Sequence, residues 1–133
     1  MKFLLDTNTC IYLIKKKPPS VIEKLHAYQV GDVGISVVTV AELRYGVAKS
    51  QRIQQNQGAL DLFLAPFEIV VFDENTAATY GEIRAQLEKT GQPIDTLDLL
   101  IAAHAKSLSV TLVTNNIGEF KRVKGLKVET WTS

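Results

Sequence analysis

The sequence predicts an α/β fold: one domain over residues 1–133, with a central, mostly parallel sheet of about five strands flanked by helices on both faces. Three observations predict it. Short apolar runs alternate with stretches of helical spacing along the whole chain, the order that produces a parallel sheet with helical crossovers. With 46% hydrophobic and 22% charged residues, a chain of this length has the apolar material for a real core. Residues 94–107, IDTLDLLIAAHAKS, read as a helix that is apolar nearly all round and therefore buried.

The elements follow in order. Residues 2–5 are a short buried strand, and Asp6-Thr7-Asn8 suits a turn and a helix start. A helix over about residues 9–16 carries Ile11, Tyr12, Leu13 and Ile14 on a broad apolar face, and Pro18 and Pro19 stop it. Ser20 followed by Glu23 is a capping-box pattern opening a helix to about residue 28, with His26 on its surface. Gly31-Asp32 breaks the chain before a second strand at residues 33–36. Residues 36–46, SVVTVAELRYG, turn directly into a helix, and Glu42, three residues after Thr39, reads as part of another capping box. A helix over about residues 51–64 puts Leu60, Phe63 and Leu64 inward and ends at Pro66. The run FEIVVF at residues 67–72 is rich in β-branched and aromatic residues, a third strand. Asp73 caps the next helix, to about residue 89, where Ala77, Tyr80, Ile83 and Leu87 keep helical spacing. After a loop at residues 90–93, the buried helix places Leu97, Leu100, Ile101, Ala105 and Leu108 at helical intervals. Residues 110–113 form a fourth strand closing at Thr114-Asn115-Asn116. A helical turn around Glu119 and Phe120 leads to a last strand near residues 126–129.

Composition narrows the function. The net charge is only +1, so no bulk basic character announces a nucleic-acid partner. The single cysteine, Cys10, excludes an internal disulfide, fits a reducing cytoplasm, and reads as a small buried hydrophobe. Asp6 interrupts the first apolar run and Lys15 to Lys17 follow it, the reverse of a signal peptide. No apolar run reaches the ~18 residues of a membrane span.

The acids carry the chemistry. Asp98 lies in the first turn of the buried helix, where a carboxylate is costly unless paired, hydrogen-bonded or bound to a cation. Capping is the alternative: Asp95 or Thr96 as N-cap, with Asp98 answering the helix dipole. In parallel sheets the working site lies beyond the carboxyl ends of the strands. Asp6 sits at that end of the first strand, and Asn115 and Asn116 at that end of the fourth. Glu42 belongs to the early part of the helix leaving the second. Three carboxylates brought together repel one another and have raised pKa values unless a cation holds them. Hard oxygen ligands with no convergent Cys or His point to Mg²⁺, with Mn²⁺ as a substitute, rather than zinc. His104, six residues past Asp98, faces another side and reads as a hydrogen-bonded core histidine. Carboxylate-held divalent ions are suited to phosphodiester cleavage.

At these residues the chain resembles a known family. Leu4-Leu5-Asp6-Thr7-Asn8, Ala41-Glu42-Leu43 with Gly46, residues 98–105 (DLLIAAHA), and Leu112-Val113-Thr114-Asn115-Asn116 with Glu119-Phe120 resemble the motif series of PIN-domain ribonucleases, most closely the VapC toxins of bacterial toxin–antitoxin pairs. The resemblance runs in order down to Trp131. It implies a Mg²⁺-dependent endoribonuclease, a homodimer, and a cognate VapB-type antitoxin. Initiator tRNA, cut in the anticodon loop, is the implied substrate. By position, Asp6 and Asp98 are the principal metal ligands, Glu42 the third acid, and Asn116 fills the place where many members have Asp or Asn. Glu119 is a nearby acid able to act through water. Asp95, where relatives often have Gly, caps the helix or adds a carboxylate. Asn8, Arg44 and Lys121 are the candidate substrate contacts.

With Asp6, Glu42, Asp98 and Glu119 engaged by cations, fifteen basic side chains face ten remaining acids. Two basic clusters could then hold phosphates: Arg44, Lys49 and Arg52, or Lys121, Arg122, Lys124 and Lys127. Two rival readings stay in view. A phosphoryl-accepting receiver or phosphatase-like domain also gathers acids around Mg²⁺, but calls for paired acids or Asp-x-Asp after the first strand. A non-catalytic RNA-binding module would keep the fold without the chemistry.

Overall fold

The structure is a computed structural model and describes residues 1–132. Five strands, β1 (Phe3–Leu5), β2 (Val33–Ser36), β3 (Glu68–Val70), β4 (Thr111–Val113) and β5 (Val128–Glu129), form one sheet in the order β3-β2-β1-β4-β5. Every pairing is parallel. The seven helices are α1 (Thr7–Lys15), α2 (Pro19–His26), α3 (Val37–Ala48), α4 (Ile53–Leu64), α5 (Glu74–Lys89), α6 (Thr96–Leu108) and α7 (Ile117–Phe120).

A two-residue alternation divides the core between the sheet's faces. Phe3 and Leu5 of β1 pack with Cys10, Leu13, Val21, Leu43, Leu60 and Trp131, under α1 to α4. Leu4, between them, packs with Ile83, Leu87, Leu99, Ala102, Leu112 and Phe120, under α5, α6 and α7. The central strand is buried on both sides, as parallel strands are. Cys10 is fully buried, and burial pushes its thiol well above the ordinary range. Trp131 closes the first core, its ring stacked 5.8 Å from Tyr28 and edge-on 5.7 Å from Phe3.

Several expectations shift. Strand β3 spans three residues rather than six and β5 only two, because these outer strands pair on one side alone. The Ser20–Glu23 capping box does not form: α2 starts two residues earlier than that box would place it, at Pro19, whose fixed φ suits a first helical position. Helix α3 is capped by Ser36, whose Oγ accepts from the Val38 amide at 3.1 Å. Thr39 is therefore inside the helix, and Glu42 is free of capping. Leu97 is 42% exposed, so the apolar circumference of α6 begins at Leu99.

His104 is the expected core histidine. It is fully buried, with Nδ1 2.7 Å from Ser36 Oγ and Nε2 3.0 Å from Val71 O. A carbonyl only accepts, so Nε2 carries the proton and Nδ1 accepts from the serine hydroxyl. His26 is exposed on α2.

Candidate active site

The strand order reverses direction at β1, leaving a crevice at the carboxyl ends of β1 and β4. Asp6 is the first residue beyond β1. Its amide donates to Val113 O at 3.0 Å, tying it to the end of β4. It also caps α1: Oδ1 accepts from the Thr9 amide at 2.8 Å. Only 5% of Asp6 is exposed. Burial raises its carboxyl above the usual range, and hydrogen bonds from Thr114 and Thr9 offset part of that.

Asp98 reaches the same crevice from the first turn of α6. The N-cap there is Asp95, whose Oδ2 accepts from the Leu97 amide at 3.2 Å. Asp98 is thus released from capping. An acid that merely answered the helix dipole would titrate low. Instead the Asp98 carboxyl is pushed up to about 7, by burial first, then by its hydrogen bond with Glu119 and by the charges of Glu119, Asp95 and Asp6. Glu119 is held in place by Asn116 Nδ2 at 2.7 Å and by the Asp95 amide at 3.3 Å. The Asn116 amide in turn donates to Thr114 Oγ1 at 3.0 Å.

Glu42 joins more loosely. Its Oε1 accepts from Thr7 Oγ1 at 2.8 Å, and Thr7 is the residue next to Asp6. The fold therefore brings Asp6, Asp95, Asp98, Asn116 and Glu119 together, with Glu42 attached through Thr7. Among the described residues no three acid, His or Cys side chains form a ready-made metal cage. Asp6 accepts from Thr9 and Thr114, and Glu42 from Thr7, whereas Asp98 meets another carboxyl, that of Glu119. The donor set suits a hard divalent cation all the same. Every donor is oxygen, and the charge crowding that adds to burial in raising Asp98 is repulsion of the kind a cation relieves.

The three candidate substrate contacts stand in different settings. Arg44 pairs with Asp61 of α4 at 2.7 Å. Asn8 is exposed on α1, and Lys121 is exposed just after α7. The hydroxyls of Thr7 and Thr114 were not among the expected site residues. Their signal was a hydroxyl directly after an acid, or directly after a strand end, in the segments Asp6-Thr7-Asn8 and Thr114-Asn115-Asn116.

Acids from separate helices and strand ends converge at the switch point of a parallel sheet, where sheets of this kind place their ligand sites. The sequence profile of the PIN domain matches residues 3–126. The chain is 46% identical over 132 residues to Ribonuclease VapC2 of Rickettsia felis, covering 98% of both chains. It is 43% identical over 132 residues to the tRNA(fMet)-specific endonuclease VapC of Shigella flexneri, covering 99% of both. Among solved structures, DNA-bound VapBC from Salmonella typhimurium superposes with a TM-score of 0.94 at 39% identity, covering 98% of each chain. VapBC2 of Rickettsia felis, bound to a DNA fragment from its promoter, gives 0.91 at 44% identity, covering 98% of this chain and 99% of that one. The chain belongs to the PIN-domain family and, within it, to the VapC ribonucleases. The receiver and phosphatase readings fall with that assignment. No helix is long and apolar enough to cross a membrane among the described residues.

Proposed function

We propose that this chain is a Mg²⁺-dependent endoribonuclease toxin of the cytoplasm that cuts tRNA, with the anticodon loop of initiator tRNA as its target. It acts as a homodimer and is neutralised by a VapB-type antitoxin. The observation that carries the reading is the meeting of Asp6, Asp95, Asp98 and Glu119 at the head of the sheet, close enough for their charges to raise the Asp98 carboxyl. The tRNA(fMet)-specific name of the Shigella flexneri relative supports the substrate, and the VapBC complexes among the structural neighbours support the partner.

Asp6 and Asp98 would hold the ion, with Glu42 as the third acid. When bound, Mg²⁺ (or Mn²⁺) lowers the pKa of an attacking water and stabilises the departing oxygen. The chain's own groups do the rest. The Thr9 amide and the Thr114 hydroxyl fix the direction of the Asp6 carboxylate before substrate arrives. Asn116 and the Asp95 amide hold Glu119 where it can take a proton from the attacking water. Thr7 holds Glu42 beside the start of α1. Asp95 serves the helix start, and its charge adds to the field at Asp98.

The test is cleavage of purified tRNA with Mg²⁺, with EDTA, and by the Asp98→Asn variant, with RNA ends sequenced. Product should require the divalent ion and vanish in the variant. Undiminished cutting in EDTA, or by Asp98→Asn, would overturn the reading. A pure RNA-binding module would give no metal-dependent product at all.

A further inference from the structure

The carboxyl edge of the sheet is lined with acids and repels a polyanion, so an RNA substrate must draw its affinity from elsewhere on the surface. Two basic clusters are visible in the sequence, and the fold separates them. In the first, Arg44 is spent on Asp61, Lys49 lies 4.8 Å over the Tyr45 ring, and Arg52 sits at the N-cap of α4. The second is enlarged. The segment after α7 folds back along α6, bringing Lys106 to residues far away in sequence.

Lys106 and Lys127 line one concavity with Ser109, Val110, Gly125 and Leu126, and no acid belongs to it. Lys106, Arg122 and Lys124 line the adjoining one, where Glu82 is the only acid. All four basic side chains are exposed. Among the described residues the two ion pairs are Arg44–Asp61 and Arg84–Glu88, so none of the four is neutralised by a carboxylate. Gly125 adopts φ +81°, a left-handed turn that suits glycine, and Lys106 Cε lies 3.6 Å from where its Cβ would stand. The lysine stem is thereby laid against backbone, with its ammonium at the surface. Lys106 is eight residues beyond Asp98, about 12 Å along α6 at 1.5 Å per residue. Lys121, just after α7, stands in sequence between Glu119 and Arg122.

We propose that Lys106, Arg122, Lys124 and Lys127 form a phosphate-binding track that carries the RNA backbone flanking the cut, outside the catalytic crevice. The track rests on the nuclease reading. It supplies affinity for a long RNA and plays no part in bond cleavage. Arg122 also donates to Pro93 O at 3.0 Å, so the informative substitutions are the three lysines.

The experiment compares the chain with its Lys106→Gln/Lys124→Gln/Lys127→Gln variant, using tRNA and a short oligoribonucleotide that spans only the scissile bond. Binding of fluorescent tRNA is read in the Asp98→Asn background across a salt series. The triple variant should raise the tRNA KM on the order of tenfold. It should flatten the slope of log affinity against log salt by about 2, since each lost phosphate contact removes about 0.7–0.9. Its kcat, and its KM for the short oligonucleotide, should stay as they were. An unchanged tRNA affinity and salt slope overturn the track. Equal losses on both substrates also overturn it, because the lysines then act at the scissile site. If the unaltered chain makes no Mg²⁺-dependent product yet binds tRNA through these lysines, the track stands and the nuclease reading fails.

Discussion

Helices α1 and α5 both begin on an aspartate held in the same way. Asp6 Oδ1 accepts from the Thr9 amide at 2.8 Å, and Asp73 Oδ1 accepts from the Thr76 amide at 2.9 Å. The titrations go in opposite directions. Asp73 is exposed, and the Thr76 amide and hydroxyl hold its carboxyl below the usual range. Asp6 is buried, and burial outweighs its hydrogen bonds. Asp98 goes further up because other carboxylates join the burial. Cap geometry by itself therefore does not make a site. What separates the two helix starts is a low-dielectric crevice in which like charges are forced together.

The widest break in the comparison comes from neutralising each acid in turn. Asp98→Asn should lower the cleavage rate by more than about 100-fold, the upper range for losing even an outer partner of a metal ligand. Its melting temperature in EDTA should hold or rise, because repulsion is relieved. Asp73→Ala should do the reverse: the cap is lost and the melting temperature falls, while kcat/KM on tRNA stays level. Thermal denaturation and single-turnover cleavage on the two proteins read both quantities. An unfolded Asp98→Asn protein would mean that the carboxylate serves the helix rather than a cation.

The sequence made the strand ends and the acids beside them legible, because each rests on a local signal. Asp6 follows an apolar run, Asp98 opens a buried helix, and Asn116 follows a strand. Pairings across the fold were hidden. Thr7 meets Glu42 across 35 residues, and Glu119 turns to Asp98 only once α7 folds over the start of α6. Local patterns also misled where a strand end decided the outcome. Thr39 and Glu42 have capping-box spacing, but pairing of β2 with β1 and β3 carries the strand to Ser36, so the cap falls there. Arg44 looked free until α4 brought Asp61 against it.

A smaller effect sharpens the contrast between a ligand and the residue that aims it. Thr7→Val keeps the size and β-branching of the side chain while removing the hydroxyl that holds Glu42. The rate should fall about tenfold, the lower range for an outer partner. Because Thr7 is only half-buried, stability should change little. Raising Mg²⁺ should recover part of the loss if Glu42 contributes to holding the ion. A rate equal to the unaltered chain would remove Glu42 from the site.

The smallest expected effect is in the pH dependence of stability without divalent ions. The folded Asp98 carboxyl is pushed up to about 7, against 3.8 for a free aspartate side chain, so the folded state holds a proton that the unfolded chain gives up. That contribution is fully present below pH 4 and is lost as pH rises through about 7. For a half-exposed group, solvent screening reduces it to about 1–2 kcal/mol. His104 pulls the other way: burial lowers its pKa from 6.5, so stability drops as pH falls below the unfolded value. Asp6, raised by burial, adds to the Asp98 trend at lower pH. Urea denaturation between pH 5 and 8 in EDTA should show the decline toward pH 8 shrink in Asp98→Asn, and saturating Mg²⁺ should reverse it. A decline of the same size in the variant would mean that the charge crowding at the crevice does not reach the stability of the fold.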